Sequence, residues 1–164
     1  MKAVMFSINK PHTDNIVTGI KTIELRTKPP KIEDTYKAYI YETSKSGGCG
    51  KVIGEFTAYN EETYRICMGV PKHLIIEGCL SEYEICKYSD NGKKDITAIS
   101  ITDLIRYDKP KELSEFKKIN RDCWYADLGL AKRDCPKCRN VECFLTRPPQ
   151  SWCYVERKER DKDA

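Results

Sequence analysis

Apolar and polar positions along this chain alternate mostly with the two-residue period of extended backbone. Residues 2–8 read as a first strand. Residues 35–43 and 51–59 alternate most clearly, with Tyr36, Ala38 and Ile40 on one face of the first and Val52, Gly54, Phe56 and Ala58 on one face of the second. Joined across the glycine-rich stretch Ser44 to Gly50, they predict a hairpin. After an Asn91-Gly92 turn, residues 96–106 predict another strand with Ile99, Ile101 and Ile105 on one face, interrupted by Asp103 at a bulge or edge. Helical spacing is confined to short pieces. Pro11 to Thr18 reads as one helix with Ile16 and Val17 inward and Gly19 just past its end, and residues 71–89 as two helices split near Gly78, with Leu74, Ile75, Tyr83 and Ile85 in the core. Many short strands with few helices predict a mixed, mainly β chain folded as a small barrel rather than a doubly wound sheet.

Residues 22–26 form the densest polar pattern. As a strand they place Thr22, Glu24 and Arg26 on one face and Ile23 and Leu25 on the other, while Lys21 projects from the preceding glycine turn. Two nearby cations keep Glu24 charged and acceptor-only. An exposed Glu/Arg pair on a strand is ordinarily a solvated contact worth little. The same three side chains facing a pocket would instead read an amine. Lys28-Pro29-Pro30-Lys31 ends the strand.

The chain has 164 residues, 40% of them apolar and 33% charged, enough for one domain with a single core. The expected domain covers residues 1–156, and the charge-alternating residues 157–164 form a disordered tail. The net charge of +4 is concentrated: residues 1–31 hold six Lys/Arg and two acids, while the remainder is balanced, which suits a phosphate-bearing partner near Lys21. The apolar run at the N-terminus is too short for a signal peptide, and no segment is long enough for a membrane span, so a cytoplasmic location is expected. There the nine cysteines are thiols or metal ligands. Cys123, the Cys135-Pro136-Lys137-Cys138 knuckle and Cys143 have the spacing of a structural zinc site that would order an otherwise unpatterned insertion, residues 118–147. A redox dithiol or unrelated buried thiols are the alternatives.

The stretch Gly19-Ile20-Lys21-Thr22-Ile23-Glu24-Leu25-Arg26 resembles the Gly-x-Lys-x-x-Glu-x-Arg signature of ASCH domains. Residues 147–156, from Arg147-Pro148-Pro149 through Trp152-Cys153-Tyr154, are similar to the closing strand of phage and bacterial ASCH proteins. The resemblance implies a PUA-like β-barrel that binds RNA or a modified nucleoside. Lys21 and Arg26 would attract a phosphate or carbonyl, and Glu24 would accept from an exocyclic amine of a single-stranded or flipped base. Trp152 lies on the face opposite Cys153 and either stacks a base at the rim or packs against the barrel. Some ASCH enzymes remove the acetyl group from acetylcytidine with a lysine and a threonine of this signature. Lys21 matches the lysine, but Glu24 stands at the threonine's place and Thr22 is out of register, so as an amidohydrolase the chain would rely on Lys21 and Glu24. A zinc-stabilised protein-interaction module is a third reading. A phosphate loop is excluded, because Val52 replaces the magnesium-binding hydroxyl after Lys51, and His12 and His73 lack the spacing of a Ser-His-Asp site.

Overall fold

The structure, a computed structural model, describes residues 3–32, 34–119 and 144–157. Seven strands form one sheet: β1 (Ala3–Ile8), β2 (Ile23–Arg26), β3 (Tyr36–Glu42), β4 (Lys51–Tyr64), β5 (Ile96–Lys111), β6 (Phe116–Lys118) and β7 (Trp152–Arg157). Three short α-helices, α1 (His12–Val17), α2 (Lys72–Gly78) and α3 (Glu82–Tyr88), and three single-turn 3₁₀ helices complete the described elements. The sheet order is β2-β5-β4-β3-β1-β7-β6, with β1 and β3 parallel and the remaining pairs antiparallel.

On the alternating faces of β3 and β4, Tyr36, Ala38, Ile40, Phe56 and Ala58 are buried in one cluster with Phe6 and Ile16 as their pattern predicts, whereas Val52, expected on the same face, lies beyond a register shift and packs with Tyr41 and Met5 on the other side. A second cluster gathers Met5, Tyr39, Phe116, Cys153 and Val155 on the opposite side of the same strands. Cys153 and Val155 point inward together, and burial pushes the Cys153 thiol up to about 11. The third cluster seats α2 and α3 on β2 and β5 through Ile23, Leu25, Leu74, Ile85 and Ile99's neighbours Ile96 and Ala98.

Three further expectations need correction. Tyr83 is 73% exposed, because it sits two residues before Ile85 on α3 and so faces the opposite way. Ile105 is 53% exposed, because the bulge at Asp103 shifts the alternation by one residue, so that Leu104 and not Ile105 packs on the first cluster. The third concerns barrel closure: among the described residues the backbone ladder ends with β2 at one edge and β6 at the other. β1 pairs with β3 and β7 on its two sides, and β2 reaches it through the Arg26 side chain, which donates to the Ser7 carbonyl. Asp103 does lie at a bulge, with φ 48° and a register shift opposite Phe56.

Candidate functional site

Gly19 (φ 75°) ends α1 in the left-handed region, where a side chain would be strained, and turns the chain towards β2. Lys21 follows, tied by its backbone N–H to the Asn15 carbonyl, and its side chain is driven inward. Lys21, Glu24 and Arg26 are only 3%, 6% and 6% exposed, so the solvated-pair reading does not describe them. Lys21 Nζ donates to the Gly78 carbonyl at the end of α2 at 2.7 Å and lies 3.6 Å from Glu24 Oε2. Gly78 comes so near β2 that an added Cβ would lie 3.2 Å from Leu25 Cδ1, which is why a glycine suits the spot.

Arg26 is engaged on every side. Its Nη2 lies 2.7 Å from Glu24 Oε1 and donates to the Ser7 carbonyl of β1, and Nη1 donates to both the carbonyl and the hydroxyl of Ser151 at the start of β7. The guanidinium also covers the Phe6 ring at 4.8 Å. Four of its five N–H groups are thus taken, and the fifth, on Nε, is buried with no partner. Arg26 therefore joins β2 to β1 and β7 where the ladder does not, and it holds one oxygen of Glu24 in place. Trp152 Nε1 donating to the Lys28 carbonyl, and Tyr154 accepting from the Lys31 N–H, add two more links across the same gap.

Above this triad opens a cleft of about 260 Å³. Lys21, Glu24 and Arg26 all line it, as do the apolar Ile8, Leu25 and Leu80. Its rim carries three groups that sequence reasoning passed over: His12 at the start of α1, and Glu84 and Tyr88 one turn apart on α3. The Ser81/Glu84 capping box marked where α3 begins, not that the helix borders a cleft. Burial, and then the Lys21 charge, hold His12 below its ordinary value against the opposing carboxylates Glu24 and Glu84. His12 Nδ1 is buried with no partner.

The remaining site expectations lie elsewhere. Trp152 packs against the first core cluster, edge-on to Tyr154 at 5.0 Å, and is not among the residues lining the cleft. Thr22 is exposed and also outside the lining. Cys123, Cys135, Cys138 and Cys143 fall outside the described residues, and the described cysteines form no group able to hold a metal.

Neither a protein-family model nor a curated protein matches this sequence. The structure does match crystal structures of ASCH from Zymomonas mobilis. The unsubstituted protein superposes with a TM-score of 0.58 at 23% identity over 96% of this chain and 90% of that one. Two single-residue variants of it give 0.59 at 21% identity, over 95% and 91%, and 0.55 at 20%, over 94% and 89%. The chain has the ASCH fold. At these identities the likeness is one of fold, and within this ASCH fold the cleft is defined by the residues described above. No described helix is long and apolar enough to cross a membrane.

Proposed function

We propose that this chain is a member of the ASCH family whose cleft takes one nucleobase, from single-stranded RNA, a flipped nucleotide or a free modified nucleoside. The observation that carries the reading is the buried Glu24 at the floor of the cleft, held by Arg26 through Oε1 while Oε2 has only Lys21 at 3.6 Å. A carboxylate fixed in that way accepts from an exocyclic amine, and Lys21 retains donors beyond its bond to Gly78. At about 260 Å³ the space falls below the roughly 300–1,000 Å³ of drug-sized ligand sites, which suits one base. Arg26 holds Glu24 rather than touching the ligand, and phosphates stay outside.

Titration calorimetry with cytidine, adenosine and uridine tests this. The amine-bearing nucleosides should bind at least about tenfold more tightly than uridine, the discrimination one good polar pair supplies. Glu24→Gln should erase that preference, and Lys21→Met should weaken all binding. A preference untouched by Glu24→Gln places recognition elsewhere.

One observation favours a second reading, an acetylcytidine amidohydrolase. Glu24 Oε2 accepts no described hydrogen bond, so it can take a proton from water beside Lys21. The signature threonine of such enzymes is replaced by Glu24, and Thr22 lies outside the cleft. Incubation with acetylcytidine should yield no cytidine; turnover lost in Glu24→Gln would reverse the ranking. A structural zinc on Cys123, Cys135, Cys138 and Cys143 stays part of the proposal, resting on their spacing. Elemental analysis of chelator-free protein should give about one zinc per chain, and Cys138→Ser should abolish it.

A further inference from the structure

We infer that His12 is a second base-reading residue of the cleft, its Nε2–H donating to an unprotonated ring nitrogen next to the amine that Glu24 accepts. The ligand is then defined by its edge: an exocyclic amine beside a bare ring nitrogen, as in cytosine and adenine. The inference rests on the nucleobase reading above and narrows it.

The argument begins with the two ring nitrogens. His12 lines the cleft with its ring half-buried, and Nδ1 is enclosed with no partner. The nitrogen left to face the cleft is Nε2. In a neutral imidazole one nitrogen bears the proton and the other a lone pair. Nδ1 has no acceptor in reach to receive a proton, so we assign the hydrogen to Nε2, where a ligand in the cleft can accept it, and leave Nδ1 bare. Charging the ring would place a second N–H in the enclosed position beside Lys21, and burial opposes that as well. The groups facing it are Lys21, Glu24 and Arg26 from the β2 side and Glu84 and Tyr88 from α3, two cations against two carboxylates, so neither sign of field overrides the buried Nδ1.

The cleft therefore presents a fixed acceptor, Glu24, and a fixed donor, His12 Nε2–H. Uracil offers a ring N–H where His12 needs an acceptor and a carbonyl where Glu24 needs a donor, so it mismatches both.

Calorimetry with cytidine and 3-deazacytidine, which keeps the amine but lacks the ring nitrogen, isolates the contact. His12→Ala should lose about tenfold in cytidine affinity, the net worth of one hydrogen bond, with little change for 3-deazacytidine. His12→Gln, whose amide N–H reaches about as far as Nε2–H, should restore most of the loss. If the wild type binds cytidine and His12→Ala binds it equally well, the His12 contact is overturned while the nucleobase reading stands. If His12→Ala weakens both ligands alike, the ring only shapes the wall and the inference is again overturned. If the wild type binds no nucleoside at all, the nucleobase reading fails and takes this contact with it.

Discussion

Two buried glutamates, Glu24 on β2 and Glu55 on β4, sit in similar company and do different work. Each is less than a tenth exposed and each faces a cation: Arg26 at 2.7 Å in one case, Lys37 at 2.6 Å in the other. Glu55 is saturated, with Lys37 on Oε1 and the Tyr107 hydroxyl on Oε2, and the three groups come from the adjacent strands β3, β4 and β5. It ties the sheet together. Glu24 has one oxygen held and the other turned towards Lys21 at the floor of a cleft. A buried ion pair thus identifies nothing by itself; the acceptor left unfilled beside empty space does.

The hardest way to break the comparison is to remove Arg26. Arg26→Met leaves Glu24 buried without its closest cation and cuts the links to Ser7 and Ser151. It should lose about 3–5 kcal/mol of stability in urea unfolding, the usual effect of stranding one member of a buried pair. Adding Glu24→Leu to it should recover much of that loss, since an apolar pair of similar volume is often neutral. An Arg26→Met protein within about 1 kcal/mol of the wild type would show that this side chain does not hold the sheet edge.

Smaller and sharper is the matched pair Glu24→Gln and Glu55→Gln. Each disturbs a charge-assisted bond and should lower stability by about 1.5–3 kcal/mol. Only Glu24→Gln should alter nucleoside preference. Equal effects of both on binding would mean that the loss travels through stability and not through contact.

Much of this difference could be read in the sequence, and the unread part has identifiable causes. Period-two alternation located β3, β4 and β5, and Gly19 with Gly78 bracketed the helices, because these signals are local. The convergence of Lys21, Glu24 and Arg26 followed from strand geometry plus one turn. Arg26's bonds to Ser7 and Ser151 span separations of 19 and 125 residues, which no local pattern encodes, so a clasp looked like a ligand contact. Nothing near His12 in the sequence marks it, because the charges that act on it are gathered in space: Lys21, Glu24 from β2 and Glu84 from α3.

Trp152→Phe separates rim from core at a lower energy. It removes the Nε1 bond to the Lys28 carbonyl while keeping the ring against Tyr154, so it should lose about 1 kcal/mol of stability. Nucleoside affinity should not change, because the indole lies outside the cleft lining. A drop in affinity without a drop in stability would restore Trp152 to the site.

The smallest expected effect is one of pH, and it distinguishes the two regions by where it falls. The unfolded chain takes up a proton on His12 near pH 6.5, whereas burial and Lys21 hold the folded group lower. The unfolded state then binds more protons as the pH drops, so this contribution is complete above about 6.5 and is lost as pH falls through the folded value. Glu55 acts in a later window. Burial works against its charge, but the bonds from Lys37 and Tyr107 outweigh it and hold the carboxyl below its ordinary 4.5, so its contribution is intact above that pH and lost beneath it. Glu42, bonded by Thr13 and the Cys49 N–H, shares that lower window despite its own burial. Urea midpoints followed from pH 7.5 to 3 should show a shallow decline beginning near 6.5 and a steeper one below 4.5. His12→Gln should flatten only the first, and Glu55→Gln should reduce only the second. A wild-type profile that stays level until pH 4.5 would mean that the folded protein charges His12 as readily as the unfolded chain does, and the neutral donor assigned to the cleft would go with it.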